Sequence, residues 1–511
     1  MNQHPCETDK CYNPSRIYWL LILAILLFSV SLYDLFSPPI TPTCARQTWT
    51  AMLTENFVKE GFSLKGLYLN VFGNEKKMVV QEFPIYNFIT GLFYYYINNN
   101  IFWGKLVSLL GSIITLLYLF KLINKYYGER LAIFSCLFFI FSPLGLLMRT
   151  SVQPDALGLM FQIIALNYLF SWKENGFTKN LVFFSLALLM AGLSKYPIIV
   201  PYLPIMAATF LFPSKGFRVP RVREVVIIFL LFLIPLIAWY LYRGKITHPD
   251  LRPDYMVFLI GDLRRFLSIE YYIKPLYVIG GMIFCGVGIV FFLLGLVRVR
   301  LCEIIFLSGI PLYFIIIPTV SDQYYYMYAV LPLFAFFMAR GYLIVLNYFA
   351  INKQSTLIYV ITILYAFGFI ISTAYVLRHD KVMLAASEAV KKISLPGDLI
   401  ISMTLHDRDH VGFNPVILYL AQRKGWFVEV ASEGDNSIEA QIEAAKSRGA
   451  RWLVITYYSA DQEPWFESLI PKNLRRSPGI DGKKMLLHLQ AHYKIVNESR
   501  NYAILDLSKG N

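Results

Sequence analysis

Runs of roughly 18–22 apolar residues recur along this chain, each long enough to cross about 30 Å of hydrocarbon as a helix. No other feature limits the fold as strongly, because a segment inside a bilayer has to satisfy its backbone polar groups within itself. The residue balance agrees. Of 511 residues 57% are hydrophobic and 16% are charged, with a mean hydropathy of +0.52, against about 45–50% and about 25% in ordinary soluble domains. The expected fold class is a polytopic α-helical membrane protein of about eleven transmembrane helices with a C-terminal soluble α/β domain.

The spans are expected at about 17–36, 101–121, 131–148, 156–172, 225–242, 277–296, 303–320, 327–349 and 356–377, with two short spans in 181–212 turning near Lys195. Lys10 and Arg16 precede the first span, and Lys121, Lys125, Arg130, Lys173, Lys179, Arg298, Arg300 and Lys353 fill alternate short loops. The stretch SKGFRVPRVRE adds four more basic residues. By the positive-inside rule these loops and the N-terminus are cytoplasmic. The same pattern explains the net charge of +14 without invoking nucleic acid, which is not expected as a partner. The run 17–36 is too long for a signal h-region and no A-x-A site follows it. The six cysteines show neither a disulfide framework nor zinc-ligand spacing; Cys44 stands alone in the first outer loop.

Polar chain gathers in two places on the outer face and at the C-terminus. The large outer loop 37–100 follows Asp34 and carries Arg46, Glu55, Glu60 and Glu82 among prolines and aromatics; it is read as the roof of an active site. Within it EFPIYNFITGLFYYYINN reads as a surface-lying helix or a partial re-entry. A second outer loop, 243–276, holds His248 and Asp250. The transmembrane region is taken as 1–377 and the outer domain as 378–511. In that domain 398–403, 427–432, 451–458 and 502–507 read as strands, with NPVILYLAQRKG and SIEAQIEAAKSRGA as helices between them, which implies a small α/β sheet. It holds no dinucleotide, P-loop or nucleophile-elbow motif.

The candidate chemistry lies at the outer ends of spans. Asp34, Glu82 and Asp155 are carboxylates at one membrane level, suited to proton abstraction or to a divalent ion, magnesium or manganese, for which Asp155 is the candidate ligand. Each acid also fits a solvated interface, and Asp155 an N-cap. Arg46, Arg149 and Lys195 suit a phosphate at the interface, with snorkelling to headgroups as the plain alternative. Lys195 is the most telling because it interrupts an apolar run. Most of the 35 tyrosines belong to an interfacial belt, while Asp322, Gln323 and Tyr324 could meet a sugar.

Five motifs in order resemble those of the GT-C membrane glycosyltransferases of family 39, the protein-mannosyltransferase and aminoarabinose-transferase type. They are Arg46-Gln47-Thr48-Trp49-Thr50-Ala51, Glu82-Phe83-Pro84-Ile85-Tyr86, Arg149-Thr150-Ser151-Val152-Gln153-Pro154-Asp155, Lys195-Tyr196-Pro197 and Arg423-Lys424-Gly425-Trp426. Some relatives carry an acid where this chain has Trp49, so the resemblance assigns the first-loop acid to Asp34. It implies an inverting transfer from a polyprenyl-phosphate sugar at the outer face of a bacterial cytoplasmic membrane, to a lipid, glycan or protein acceptor. Asp34 is then the base, with Asp155 and Glu82 as acceptor or metal contacts. Arg46, Arg149 and Lys195 meet the phosphate, and Gln47, Tyr86, Tyr196, Gln323 and Tyr324 line the substrate site. The rival class is a transporter or flippase of lipid-linked sugars, which would place ionisable groups near mid-membrane. Here they lie at helix ends.

Overall fold

The computed structural model describes residues 14–211, 221–249, 268–317, 323–351, 355–406, 415–428, 438–458 and 482–510. Asp250, Asp322 and most of the second outer loop lie outside them. The expected apolar runs are helical over most of their described residues. Among the described residues six helical stretches are long and apolar enough to cross a membrane, or up to eight if each of two bent pairs is one span, fewer than the eleven expected, because Thr178–Leu211 and the shorter apolar helices are not separate full-length spans. The first helix, α1 (Pro14–Leu35), shows why a bilayer is needed: Leu21, Ile22, Ile25 and Phe28 lie exposed on it. Such a continuous apolar face belongs against lipid rather than water.

After α1 come α2 (Cys44–Lys59), α3 (Ile85–Tyr96) and α4 (Phe102–Tyr127). Helices α5 (Glu129–Ile140) and α6 (Pro143–Arg149) are bent by 70°, where Pro143 cannot continue the ladder. Next are α7 (Asp155–Asn175), α8 (Thr178–Lys195) and α9 (Leu203–Leu211), the last two joined by a 3-10 turn, Tyr196–Tyr202, that contains Pro197 and Pro201. By length Thr178–Leu211 is a single stretch of 34 residues. A straight helix would set Phe184 and Phe210 about 39 Å apart, yet their rings are 6.0 Å apart, and Phe210 also meets Trp172 at 5.4 Å. The chain therefore doubles back at the proline-containing turn after Lys195.

The bundle continues with α10 (Val222–Ile246), the bent pair α11 (Tyr271–Ile283) and α12 (Gly288–Gly295), the shorter α13 (Leu301–Ile316), and a 3-10 helix, Tyr324–Val330, leading into α14 (Leu331–Ile351). The last long helix is α15 (Ser355–Val376). Helices α12 and α14 meet through two glycines. A Cβ on Gly295 would lie 2.0 Å from the Phe337 carbonyl, and one on Gly341 1.7 Å from that of Phe291. Small residues allow this backbone approach, the usual device of helix pairs in lipid.

The α/β domain runs α16 (Lys381–Ile393), β1 (Leu399–His406), α17 (Val416–Ala421), β2 (Lys424–Phe427), α18 (Ile438–Ser447), β3 (Ala450–Tyr458), α19 (Gly482–His492), β4 (Tyr493–Ser499) and β5 (Tyr502–Gly510). The sheet order is β2-β1-β3-β5-β4, parallel across β2, β1 and β3 and antiparallel beyond. Residues alternate between its faces, as strand geometry requires. Ile401, Leu453, Ile455 and Leu505 form one core with α18. Ile400, Trp452, Val454 and Ile504 form the other, which is continuous with α16, α17 and the first loop through Ala51, Met52, Phe57, Leu69 and Val71.

Two differences from the sequence reading concern this sheet. Strand β2 is Lys424–Phe427 and starts earlier than expected, because α17 stops at Ala421 and Gln422 takes a left-handed φ of +55°; residues 429–432 of the expected strand lie outside the described residues. Strand β4 and its hairpin with β5 were not expected; YKIVNES buries one face weakly and carries little alternation. The sheet edge also ties directly to the first loop. Gly425 N–H donates to the Asn70 carbonyl at 3.1 Å, and Gly73 N–H to that of Gly425 at 2.7 Å. Gly73 has φ +63°, and a Cβ there would lie 2.3 Å from the Trp426 ring.

Candidate active site on the domain side of the bundle

The site is built where α2, the turn before α3, the start of α7 and the end of α8 meet. α2 has no acidic residue in its first turn and buries Gln47, Thr48, Thr50 and Thr54. Its threonine hydroxyls donate back to carbonyls one turn earlier, and that of Thr54 also accepts from the Asn87 amide at 2.8 Å. Gln47 is fully buried. Its amide donates to Thr41 and Thr43 at 2.7 and 3.0 Å and its carbonyl accepts from Val152 N–H at 3.2 Å. Gln47 thus fixes the first loop onto the 150–154 turn that launches α7.

Arg46 leaves the same helix toward the bundle. It pairs with Glu82 at 2.5 Å and donates to the Gln81 side chain. Burial alone would lower the Arg46 pKa, but Glu82, with Tyr325 and Asp155 behind it, keeps the guanidinium charged well above its ordinary range. The segment around Glu82 is held from below. Phe83 N–H donates to the Leu193 carbonyl at 3.0 Å, the Phe83 ring packs edge-on against Trp239 at 4.7 Å, and Arg243 donates to the Gln81 carbonyl.

Asp155 and Lys195 form the second ion pair, 2.7 Å apart, with side chains only 3% and 4% exposed. The Lys195 ammonium also lies 4.6 Å from the ring centres of both Tyr325 and Tyr326. Oδ2 of Asp155 has no hydrogen-bond partner among the described residues, and neither polar atom of the buried Gln153 side chain has one. Lys195, Arg46, Glu82 and Asp155 are near enough for each to act on the others' charge. The result is a compact group of two carboxylates and two cations, with Arg243 at its edge and aromatic rings on one side. Tyr196 packs edge-on against Tyr240 at 5.8 Å, and Arg243 lies over that ring at 4.9 Å.

Asp34 lies in a different cluster. Its carboxylate is 1% exposed, with Oδ2 3.3 Å from Lys105 Nζ and Oδ1 3.3 Å from His379 Nε2. Lys105 also donates to the Asp34 carbonyl at 2.6 Å. His379 opens onto a cavity of about 910 Å³ lined by Tyr33, Thr41, Cys44, Tyr324 and Arg378 among others. Burial, and next the Asp380 charge, push the Cys44 thiol up to about 12, so it stays protonated.

Arg149 and Tyr86 lie outside both clusters. Arg149 is fully buried and donates from Nε to Ser31 and from Nη1 to the Ile140 carbonyl, both at 2.8 Å, pinning α6 against α1 and α5. Tyr86 spends its hydroxyl on the Gly104 carbonyl at 2.6 Å and lies 3.2 Å from Ser108. Gln323 accepts from Tyr325, and Tyr324 faces the cavity. Lys105, Arg243 and His379 went unsingled in the sequence. Lys105 carried a usable signal, a lone cation in the first turn of an apolar run; His379 gave none, because its partner is 345 positions away.

A divalent ion finds no protein cage here. One oxygen of Asp155 holds the Lys195 ammonium, and no three His, Cys, Asp or Glu side chains gather among the described residues. Among the described residues this donor set does not by itself complete a cage for a divalent ion.

This architecture is the GT-C fold of membrane glycosyltransferases. The chain superposes on ArnT from Cupriavidus metallidurans bound to undecaprenyl phosphate with a TM-score of 0.61 and 12% identity, over 96% of this chain and 98% of that one. The apo state of the same protein gives 0.60 and 12%, over 97% and 99%. An oligosaccharyltransferase from Archaeoglobus fulgidus tethered to an acceptor peptide gives 0.53 and 9%, over 88% and 69%. In sequence, residues 81–239 match the family model of dolichyl-phosphate-mannose-protein mannosyltransferases. No curated protein matches the chain in sequence.

Proposed function

We propose that the protein transfers a sugar from a polyprenyl-phosphate donor to an acceptor on the α/β-domain side of a bacterial cytoplasmic membrane. The observation that carries this reading is the ionic group Arg46–Glu82 and Asp155–Lys195, set at the domain end of an apolar bundle. The likeness to a protein bound to undecaprenyl phosphate supports it. Orientation is supported by the opposite end of the bundle, where Lys125 pairs with Glu174, Arg223 donates to Thr178 and Arg300 lies over Tyr127. These cations mark a cytoplasmic side.

Arg46 and Lys195, with Arg243 beside them, bind the donor phosphate. In the transfer the acceptor oxygen attacks the anomeric carbon from the face opposite the phosphate. The bond from that carbon to the phosphate oxygen breaks, and its electron pair stays on the lipid phosphate. The cations stabilise the charge that develops there. Asp155 Oδ2 and the Gln153 amide are free to hold sugar hydroxyls. The proton leaves the acceptor toward the Asp34 side, where the cavity lies. Gln47 and Tyr86 act by holding the loops in place.

The test is turnover of labelled polyprenyl-phosphate sugars by protein in liposomes, wild type beside Lys195→Met. The expected result is release of polyprenyl phosphate from one donor, reduced about 10²–10³-fold in the variant, as for loss of one charge-stabilising group. Movement of the intact lipid-linked sugar across the bilayer without cleavage would establish the flippase reading instead.

A further inference from the structure

We infer that the group which takes the acceptor's proton is His379, and that Asp34 is its positioning residue. The inference rests on the glycosyltransferase reading and assigns the base within it. Asp34 alone is poorly placed for the role. It is 1% exposed, one oxygen faces the buried Lys105 ammonium and the other faces His379. A carboxylate so enclosed does not reach an acceptor hydroxyl, but it orients an imidazole and stabilises its protonated form, as the acid of a catalytic triad does.

His379 has the access that Asp34 lacks. Its side chain is 22% exposed and forms part of the wall of the 910 Å³ cavity. The ring is stacked on Tyr33 at 6.1 Å and 18°, which fixes its plane. With Nε2–H donated to Asp34 Oδ1, Nδ1 keeps its lone pair. Tyr324 lines the cavity, and the next two residues, Tyr325 and Tyr326, place their rings over Lys195. One 3-10 helix therefore borders the acceptor cavity and the proposed phosphate site.

In the step, the Nδ1 lone pair accepts the acceptor's hydroxyl proton as the acceptor oxygen bonds to the anomeric carbon. The bond to the lipid phosphate breaks and its electron pair leaves with the phosphate. The imidazolium faces Asp34 and later returns its proton to solvent. The charged and titratable groups around His379 are Asp34 and Tyr33 on α1, Lys105 on α4, Cys44 on α2, Tyr324 and Tyr375. Arg378, Asp380 and Lys381 are its neighbours in the chain. Lys105 balances Asp34, so the pair sets the ring's orientation without adding net charge to the cluster.

The experiment measures kcat/KM for transfer against pH in wild type, His379→Gln, His379→Ala and Asp34→Asn, with thermal unfolding of each. The expected result is a 10²–10⁴-fold loss in His379→Gln, the contribution of a positioned general base. A changed pH profile in His379→Gln, and partial rescue of His379→Ala by added imidazole, are expected with it. Asp34→Asn should change the profile as well as lower the rate. Transfer by His379→Gln within about threefold of wild type overturns the inference. So does loss of transfer that only parallels loss of thermal stability and that imidazole does not restore. If wild type cleaves no donor, the glycosyltransferase reading falls and takes this one with it; cleavage by wild type and His379→Gln alike removes only the His379 assignment.

Discussion

Replacing Lys195 with Met separates the structural from the functional worth of the Asp155–Lys195 pair. Both side chains are almost wholly buried and 2.7 Å apart. Removing the ammonium leaves the Asp155 carboxylate facing tyrosine rings and the Arg46–Glu82 pair, and an uncompensated buried charge of this kind costs about 3–5 kcal/mol. Asp155→Asn in the same chain removes the stranded charge. The double variant should therefore regain most of the lost stability, with a coupling of about 2–3 kcal/mol between the two sites. Donor cleavage should behave differently. It depends on the ammonium itself, so it stays about 10²–10³-fold down in both the single and the double variant. The assay is thermal or denaturant unfolding in detergent, followed by tryptophan fluorescence, beside donor cleavage on the same preparations. A double variant that recovers cleavage along with stability would refute the reasoning, because the pair would then be only a structural tie.

Four further outcomes follow from the same geometry. Arg46→Lys keeps the charge but not the fork that reaches both Gln81 and Glu82; donor cleavage should fall at least tenfold. Tyr86→Phe strips the bonds to Gly104 and Ser108, so unfolding should shift by about 1–2 kcal/mol while cleavage per folded molecule is kept. Gly73→Val puts a side chain into the Trp426 ring at a left-handed φ, and limited proteolysis should cut the α/β domain from the first loop faster than in wild type. Asp398 is buried enough that desolvation would raise its pKa, yet the Trp452 indole, Leu395 N–H and Arg451 hold it below the usual carboxylate value of 3.8. Its stabilising effect is then present above that value and lost as pH falls through the lower folded one, so Asp398→Asn should destabilise at neutral pH and converge with wild type in acid.

Much of the membrane part was legible because lipid imposes a length and a composition on each helix. The run through Lys195 and Pro197 read as two short spans, and the contacts of Phe210 with Trp172 and Phe184 carry that reversal. Interactions across the chain were not legible. Asp34, Glu82 and Asp155 look alike in sequence, each an acid at the end of an apolar run. Their partners differ: Glu82 and Asp155 share the Arg46 and Lys195 group, while Asp34 is closed in by Lys105 and His379. Arg149 looked like a phosphate ligand for the same reason, and its hydrogen bonds to Ser31 and Ile140 go inward instead. Gly425 read as part of a motif at the end of a helix. Its strand lies so close to β1 that a Cβ would meet the Ile400 carbonyl at 1.7 Å, which is a reason for glycine that only the pairing reveals.

The most direct measurement is binding of polyprenyl phosphate, without sugar, to detergent-solubilised protein by native mass spectrometry. Wild type should retain one lipid phosphate per chain, with occupancy reduced at least tenfold in Lys195→Met and in Arg46→Ala and little changed in Arg149→Lys. Equal occupancy in wild type, Lys195→Met and Arg46→Ala would contradict the account, because the ionic group between α2 and α8 would then have no part in holding the donor's phosphate.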